Sequence, residues 1–327
     1  MTKTIVDIDV IAKAVELACR APSIHNSQPW RWVATRTAAE LFLDPHRVVR
    51  SHDSAGREAI ISCGAVLDHF RIAMAAAGWT TNIEQFPDPN NLDHLASIDF
   101  APLDRITEVW REGADAILRR RTDRLPFRAP RDWEAFEPVL RSTVDNDLVT
   151  LDVLAEDMRS RLVEASRLTD VMRRDDDSYH RELQWWTAPF RMDEGVPRSA
   201  LISDSERQRV EVNRSFPPGG HGDRRGATPQ DEAKILVLST PEDSGEDALN
   251  CGRVLSTVLL ACTIARLATC TLTHITELEA SRDIIRDLIG TASYPQVLIR
   301  VGSVTAVEQT PAPTPRRPLF DVLEIRR

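Results

Sequence analysis

Four polar side chains stand close together between residues 21 and 30, and their types suit the binding of a heterocycle. This segment follows a helix-like stretch, precedes a strand-like one, and places a hydroxyl, an imidazole and two carboxamides within six residues: Ser23, His25, Asn26 and Gln28. Carboxamides carry both donors and acceptors, so such a loop can match a ring whose edge mixes the two. Because serine, asparagine and proline also form ordinary turns, a polar turn without a ligand explains this pattern equally well.

Two arginine-rich segments could bind an anion. The first contains Arg120, Thr122 and Arg124, and the second is the pair Arg316 and Arg317, which stands between prolines that stiffen the chain. Arginine forks bind phosphate through two hydrogen bonds, and a threonine hydroxyl adds another donor. The alternatives are a solvated helix end for the first segment and an ordinary basic tail for the second.

Composition excludes several other classes of function. The chain has 327 residues and a net charge of 41 − 50 = −9, which argues against nucleic acid or an anionic membrane as a partner. Five cysteines without a CxxC pair indicate neither a disulfide framework nor a metal site. There is no Walker A loop, GxGxxG, HExxH or GxSxG motif, so hydrolase, kinase and metalloenzyme interpretations lack support. Without a signal-like N-terminal segment, we expect a cytoplasmic protein.

The elements that must position these residues can be read from hydropathy. The tail 311–323 should be extended, and residues 175–230 form a polar stretch that contains Trp185 and Trp186. The periodicity predicts a strand hairpin over 30–43, strands at 95–100, 234–239 and 296–302, and helices at 7–20, 57–79, 134–142, 156–174, 247–267 and 279–289.

One internal similarity bears on the domain organisation. When Cys63 is set against Cys251, residues 63–81 align without gaps with residues 251–269 and share Cys, Gly, Val, Leu, Ala and a final Thr. The offset of 188 residues is too long for a solenoid repeat and suits a duplicated domain. Chance likeness between two apolar helices is the alternative.

Taken together, the polar loop and the two arginine segments resemble the FMN-dependent nitroreductases. In that family an R-x-S-x-R-x-F element contacts FMN, a loop S-P-S-x-x-N-x-Q-P-W comes from the other subunit of a dimer, and a basic, proline-flanked C-terminal element binds the FMN phosphate. The residues that match are Pro22, Ser23, Asn26, Gln28, Pro29 and Trp30 for the loop, Arg120, Thr122, Arg124 and Phe127 for the first element, and Arg316 and Arg317 for the last.

The departures from the family pattern suggest a fused dimer. The loop lies in the first half of the chain and the arginine element in the second, as in the Acg-like nitroreductases of actinobacteria, which the sequence is similar to. The resemblance implies an α+β fold with a mixed or antiparallel sheet flanked by helices, doubled as a pseudo-dimer in one chain. We expect halves at 1–112 and 113–327, a lid-like insertion at about 175–230, and a monomer.

The resemblance implies an oxidoreductase in which the flavin does the chemistry, so no side chain is expected to be catalytic. FMN would be held by Ser23, His25, Asn26 and Gln28 from one half, and by Arg120, Thr122, Arg124, Arg316 and Arg317 from the other. Leu272 and Thr273 stand where the family has a glycine-containing turn at the flavin. His25 and His274 are expected to be satisfied polar histidines.

Three functions remain open at this stage. The first is NAD(P)H-dependent reduction of a nitroaromatic or quinone-like small molecule. The second is a flavin-binding or sequestering protein whose closed lid leaves little or no turnover, and the third is a fold relic that binds no flavin.

Overall fold

Two β-sheets, each packed against one long helix, form the body of the protein in a computed structural model that describes residues 4–188, 193–220, 222–226, 228, 230–304 and 313–326. The helices are α1 (Ile8–Ala18), α2 (Arg57–Ala76), α3 (Glu108–Arg119), α4 (Trp133–Arg141), α5 (Arg159–Arg173), α6 (Asp177–Trp186), α7 (Asp204–Gln208), α8 (Gly245–Ile264), α9 (Glu279–Ile289) and α10 (Leu319–Val322). The strands are β1 (Trp30–Ala34), β2 (Ala38–Leu43), β3 (Trp79–Gln85), β4 (His94–Pro102), β5 (Thr150–Val153), β6 (Lys234–Thr240), β7 (Ala268–Leu272), β8 (Tyr294–Gly302) and β9 (Leu323–Ile325).

The first sheet has the order β3-β4-β2-β1-β9 and is antiparallel except between β1 and β9. Helices α1 and α2 cover one of its faces, and their apolar side chains share a core with Trp30, Trp32 and Leu41. Residues along β2 alternate between buried and partly exposed, which is typical of a strand with only one covered face.

The second sheet has the order β5-β6-β8-β7 and is antiparallel throughout. Helix α8 packs on one face, and α5 and α9 pack on the other. Almost every residue of β6 and β8 is therefore buried, which explains the continuous apolar runs of these strands. The order β7-β8-β6-β5 repeats β3-β4-β2-β1 of the first sheet, and in each the long helix lies between the second and third strands along the chain.

The two long helices cross at a pair of glycines. A Cβ atom on Gly64 would lie 2.1 Å from the carbonyl oxygen of Leu249, and a Cβ on Gly252 would lie 2.0 Å from that of Ile61. Each glycine thus faces the carbonyl three residues before the other, and no side chain fits between the backbones. These are the glycines that align when Cys63 is set against Cys251.

The structure confirms the α+β class and most of the predicted elements. The hairpin over 30–43 is present as β1 and β2, and the apolar run at 57–79 is mainly α2. Two predictions near element ends were wrong. Trp79 begins β3 instead of closing the helix, because its backbone pairs with Pro102 of β4. The described part of the tail is not simply extended, since it forms α10 and then β9.

The last strand links the end of the described chain to its beginning. Within β9, Leu323 pairs with Trp32, and Ile325 pairs with Ala34. A segment from the predicted second half therefore completes the sheet of the first, and the boundary at 112/113 stays a prediction.

Helices α2 and α8 are each long and apolar enough to cross a membrane, judged by length and composition alone. Their apolar windows are 83% and 61% buried inside the protein. Their apolar character therefore serves the packing of the core described above.

Candidate functional site

The loop after α1 has an unusual backbone. His25, Asn26 and Gln28 all have positive φ values of 47°, 57° and 52°, in the left-handed region that residues other than glycine rarely adopt. Each such residue costs about 1 to 3 kcal/mol, so the surrounding structure must hold it. The Ser23 hydroxyl oxygen accepts the backbone N–H of Gln28 at 3.0 Å, and Ser62 of α2 accepts that of Ile24 at 3.2 Å.

This loop borders the first of two adjoining cavities. The first cavity lies between the loop, the beginning of α2, the end of β7 and part of the predicted insertion. Its lining residues are Pro22, Ser23, Ile24, His25, Glu58, Ile61, Ser62, Thr122, Arg124, Asn213, Arg214, Phe216, Leu255, Cys270, Thr271, Leu272, Thr273 and His274.

The second cavity shares Pro22, Ser23, Thr122 and Arg124 with the first and is rich in arginine. Its other lining residues are Arg20, Asn26, Arg120, Arg121, Val196, Pro197, Ala200, Thr314 and Arg316. The predicted arginine element reaches this place because Thr122 forms an isolated β-bridge with Thr269, at the beginning of β7.

The second cavity gathers several positively charged side chains. None of the ion pairs formed within the described residues includes Arg20, Arg120, Arg121, Arg124 or Arg316. Burial, and then the neighbouring Arg121 and Arg20, lower the pKa of Arg120 to about 10. Like charges gathered in a buried place are unfavourable until an anion binds among them, so the second cavity is suited to an anion.

Arg120 and Arg316 contribute to this cavity in different ways. Arg316 donates through all its guanidinium nitrogens to five backbone carbonyl oxygens, three of which belong to residues 19–21 at the end of α1. Within the described residues, the side chain of Arg120 donates only to the carbonyl oxygen of Arg20, at 3.3 Å, and its buried Nε has no partner. Arg120 therefore keeps donors for a ligand, whereas Arg316 mainly supplies charge and anchors the tail.

Two predicted residues line neither cavity. Gln28 is fully buried, and its carboxamide donates to the carbonyl oxygen of Asp193 at 2.9 Å and accepts the backbone N–H of Arg317 at 2.9 Å. The side chain of Arg317 donates to Asp321 at 2.8 Å. Their polar groups join the loop to the tail and to the insertion, and direct contact of either residue with a ligand stays a prediction.

The histidines were expected to have their polar atoms satisfied, and the structure differs in part. His274 shares a hydrogen bond of 2.9 Å between its Nε2 and the Ser166 hydroxyl, but its Nδ1 has no partner in the described part of the chain, and neither does Nε2 of His25. Burial, and then the Arg214 guanidinium, hold the pKa of both histidines well below the ordinary value. Both rings are therefore neutral near pH 7.

The insertion contributes to both cavities through residues that the sequence did not single out. Arg124 donates to the carbonyl oxygen of Ala200 at 3.3 Å, and its guanidinium lies 5.1 Å from the ring centre of Phe216. Asn26 donates to the carbonyl oxygen of Gly195 at 3.1 Å. Arg214 donates to the Tyr179 hydroxyl at 3.0 Å. Trp185 and Trp186, the aromatic pair of this insertion, line neither cavity.

Glu58 is another lining residue that sequence reasoning missed. It lies in the first turn of α2, where acidic residues are common for reasons unrelated to function, so no local signal marks it. Among the described residues, no group of three or more His, Cys, Asp or Glu side chains is arranged to hold a metal ion. The two cavities together thus offer a polar-edged apolar chamber and an adjoining anion site.

Comparisons with known proteins place the chain among relatives that match along its whole length. It is 55% identical over 326 residues to the Mycobacterium tuberculosis protein named "Putative NAD(P)H nitroreductase acg", covering 100% of this chain and 98% of that protein. It is 36% identical to "Putative NAD(P)H nitroreductase Rv3131" of the same organism, covering 97% and 92%. An uncharacterised M. tuberculosis protein, Rv3127, is 56% identical over 97% of this chain and 94% of its own length.

Other comparisons are weaker. No protein-family model matches the chain. A solved nitroreductase from Anabaena variabilis superposes with a TM-score of 0.48 at 10% identity, covering 90% of this chain and 73% of its own. The FMN-dependent nitroreductase NfnB of Mycobacterium smegmatis in complex with NADPH gives 0.39 at 16% identity, covering 67% and 100%. These structural similarities are distant, and the sequence relatives carry more weight.

Proposed function

The chain belongs to the nitroreductase family of its full-length relatives, and from this we propose that it is an FMN-binding oxidoreductase. It would take hydride from NAD(P)H and reduce a small nitroaromatic or quinone-like electron acceptor. One observation carries the proposal: buried Arg120 and partly buried arginines, none with an ion-pair partner in the described residues, line a cavity that adjoins a chamber of apolar and polar side chains.

The residues present fit the two ends of FMN. The phosphate suits the second cavity, where Arg120 has unused donors, Arg316 adds charge and Thr122 offers a hydroxyl. The ring system suits the first cavity, where the unpartnered Nε2 of His25 and the end of β7 at Leu272 and Thr273 provide polar contacts beside apolar walls.

Bound FMN would supply the hydride transfer, and the protein would bind, orient and shield it. No nucleophilic side chain is required, in agreement with the neutral histidines and with cysteines whose pKa burial raises. Arg124 borders both cavities and would hold the junction between the phosphate and the ring system.

We also propose that the chain is a cytoplasmic monomer formed from two related halves, with an insertion that covers the site. The common strand order of the two sheets and the reciprocal contacts of Gly64 and Gly252 support the related halves. A fused pair of halves would form within one chain the interface that otherwise requires two subunits. Light scattering of the purified protein should give the mass of one chain, and a stable dimer would contradict this.

The cofactor proposal is tested by comparing FMN with riboflavin, which lacks the phosphate. The protein should bind FMN at least tenfold more tightly, and Arg120→Met should remove most of this difference. The matched control is Arg119→Met, which removes the same charge from an exposed neighbour and should leave the preference unchanged. Equal affinity for both flavins in the unmodified protein would refute the phosphate site.

Turnover is tested by anaerobic mixing of the FMN-loaded protein with NADH or NADPH. Loss of the flavin colour, followed by its return on addition of a quinone, would support the reductase. A bound flavin that is never bleached by either nucleotide would refute the reductase and favour the sequestering function. A protein that binds no flavin at all would refute both.

A further inference from the structure

One buried carboxyl group in the first cavity has no hydrogen-bond partner. Glu58 is only 2% exposed and lines the cavity from the first turn of α2. Neither of its carboxyl oxygens has a hydrogen-bond partner in the part of the chain that the structure describes. A buried ionised carboxylate without such partners is strongly unfavourable, so the group either holds a proton or faces a ligand that completes its bonding.

The neighbouring cation, Arg57, forms no hydrogen bond with the Glu58 carboxyl group. Arg57 Nη2 lies 3.5 Å from Glu58 Oε1, but the terminal nitrogens of Arg57 already donate to other groups. Nη1 donates to the backbone and side-chain oxygens of Gln296 at 2.9 and 2.8 Å, and Nη2 donates to those of Thr276 at 3.0 and 3.3 Å. Arg57 therefore fastens α2 to the second sheet and leaves Glu58 without a hydrogen-bonded counterion.

Two further arginines contact a second buried carboxyl group, that of Glu277. Glu277, whose side chain is fully buried, forms an ion pair with Arg214 and lies 3.7 Å from Arg173. The negative charge of Glu277 acts on Glu58 from the segment that follows β7, and Asp53 acts from the loop before α2. Glu277 therefore has a cation in direct contact, whereas neither carboxyl oxygen of Glu58 has a hydrogen-bond partner in the described residues.

Burial and the charged groups around Glu58 together raise its pKa. Burial, then Glu277, and further Asp53 raise its pKa to about 8, against the opposing effects of Arg57 and Arg214. The loop contributes His25, which is neutral near pH 7 as described above. Glu58 is thus a carboxyl group in this cavity that holds a proton at neutral pH and has no hydrogen-bond partner for it in the described residues.

We propose that Glu58 is the proton donor of this site, and this rests on the reductase function proposed above. When a quinone-like acceptor is reduced, hydride brings one hydrogen and both electrons, and the second hydrogen must arrive as a proton. The Glu58 O–H bond breaks, the proton goes to the acceptor oxygen that gains negative charge, and the acceptor leaves as a hydroquinone. NAD(P)H is oxidised overall, and the Glu58 carboxylate regains its proton from water.

The proton on Glu58 can be tested without any turnover. Infrared difference spectra of the purified protein between pH 6 and pH 10 should contain a carboxylic acid band that is lost around pH 8. This band should be absent in Glu58→Gln. The matched control is Glu246→Gln, because Glu246 is exposed and occupies the corresponding place in the first turn of α8. A Glu58→Gln protein that keeps the band overturns the assignment.

The donor role is tested on protein already reduced by NADPH. Reoxidation by 1,4-benzoquinone should slow above about pH 8 in the unmodified protein and in Glu246→Gln. In Glu58→Gln it should be about 10²-fold slower and independent of pH in this range. An unchanged rate and pH profile in Glu58→Gln overturns the donor role. If the protein is never reduced, the proposed function fails, whereas the infrared band still reports whether Glu58 holds a proton.

Discussion

Replacing Gly64 by alanine places two physical effects in direct opposition. Inside a helix, alanine is more favourable than glycine by about 1 kcal/mol, so propensity alone predicts a more stable protein. At the crossing of α2 and α8, however, the new Cβ would lie 2.1 Å from the Leu249 carbonyl oxygen and 2.8 Å from the Cα of Gly252. Both contacts are with backbone, which cannot rotate away as a side chain does.

The free-energy cost of Gly64→Ala follows from how far α2 and α8 must move apart. An ordinary Cβ contact begins near 3.4 Å, so the Leu249 contact is short by 3.4 − 2.1 = 1.3 Å, and the helices must move apart by a similar amount. Overpacking of this kind costs about 3 kcal/mol, the upper part of its usual range, because the crossing lies in the core. After subtraction of the propensity gain, Gly64→Ala should lower the free energy of unfolding by about 2 kcal/mol.

Urea denaturation followed by tryptophan fluorescence gives the free energy of unfolding for comparison with a control. In Gly113→Ala the new Cβ would lie 3.1 Å from a methyl group of the Ile72 side chain, which must yield by only a few tenths of an ångström, so this substitution in α3 should cost much less than Gly64→Ala. Gly252→Ala should behave like Gly64→Ala because its contacts are reciprocal. If Gly64→Ala is as stable as the unmodified protein, the reasoning from close backbone approach is refuted.

Three further predictions concern buried polar groups. In the folded protein Glu58 keeps its proton above pH 4.5, where the unfolded chain loses it. Glu58 therefore lowers the free energy of unfolding as pH rises from about 4.5 to about 8, by at most about 5 kcal/mol. Urea midpoints at pH 5 and pH 9 should show a smaller loss in Glu58→Gln, and identical losses would contradict the assignment. Asp231 accepts two hydrogen bonds from the buried Arg300, at 3.1 and 2.5 Å. Asp231→Ala should therefore lower the free energy of unfolding by about 3 to 5 kcal/mol in the same assay. A decrease below about 1 kcal/mol would argue against this pair. All five cysteines are buried, and burial raises the pKa of each thiol. A thiol reagent should therefore label them rapidly only after denaturation. Rapid labelling of the folded protein would contradict this prediction.

Much of the framework could be predicted because it depends on local patterns. The long apolar helices, the hairpin after the loop and the buried strand at 234–239 all follow from hydrophobic periodicity. The polar loop and the arginine element could be recognised because their residue types lie close together along the chain. The cavities bring Ser23, Thr122 and Arg124 together, although about 100 residues separate the loop from the arginines.

The remaining parts of the site depend on contacts that periodicity does not encode. Arg119 and Arg120 are chemically identical neighbours, yet only Arg120 is buried, because α3 ends at Arg119 and the chain then turns inward. The donors of Arg316 bond to carbonyl oxygens at the end of α1, a contact between two ends of the chain that no local pattern predicts. Glu58 and Arg214 gain their importance only from the charges packed around them.

The parallel pairing of β9 with β1 has a consequence for biosynthesis. Strand β1 ends at residue 34, and its partner begins at residue 323, so the 288 residues between them must be translated first. At about 5 to 20 residues per second, the edge of β1 stays open for about 15 to 60 s on the ribosome. During this time an unpaired strand next to a formed hairpin can recruit a strand from another nascent chain. The first sheet is therefore completed only after β9 has emerged.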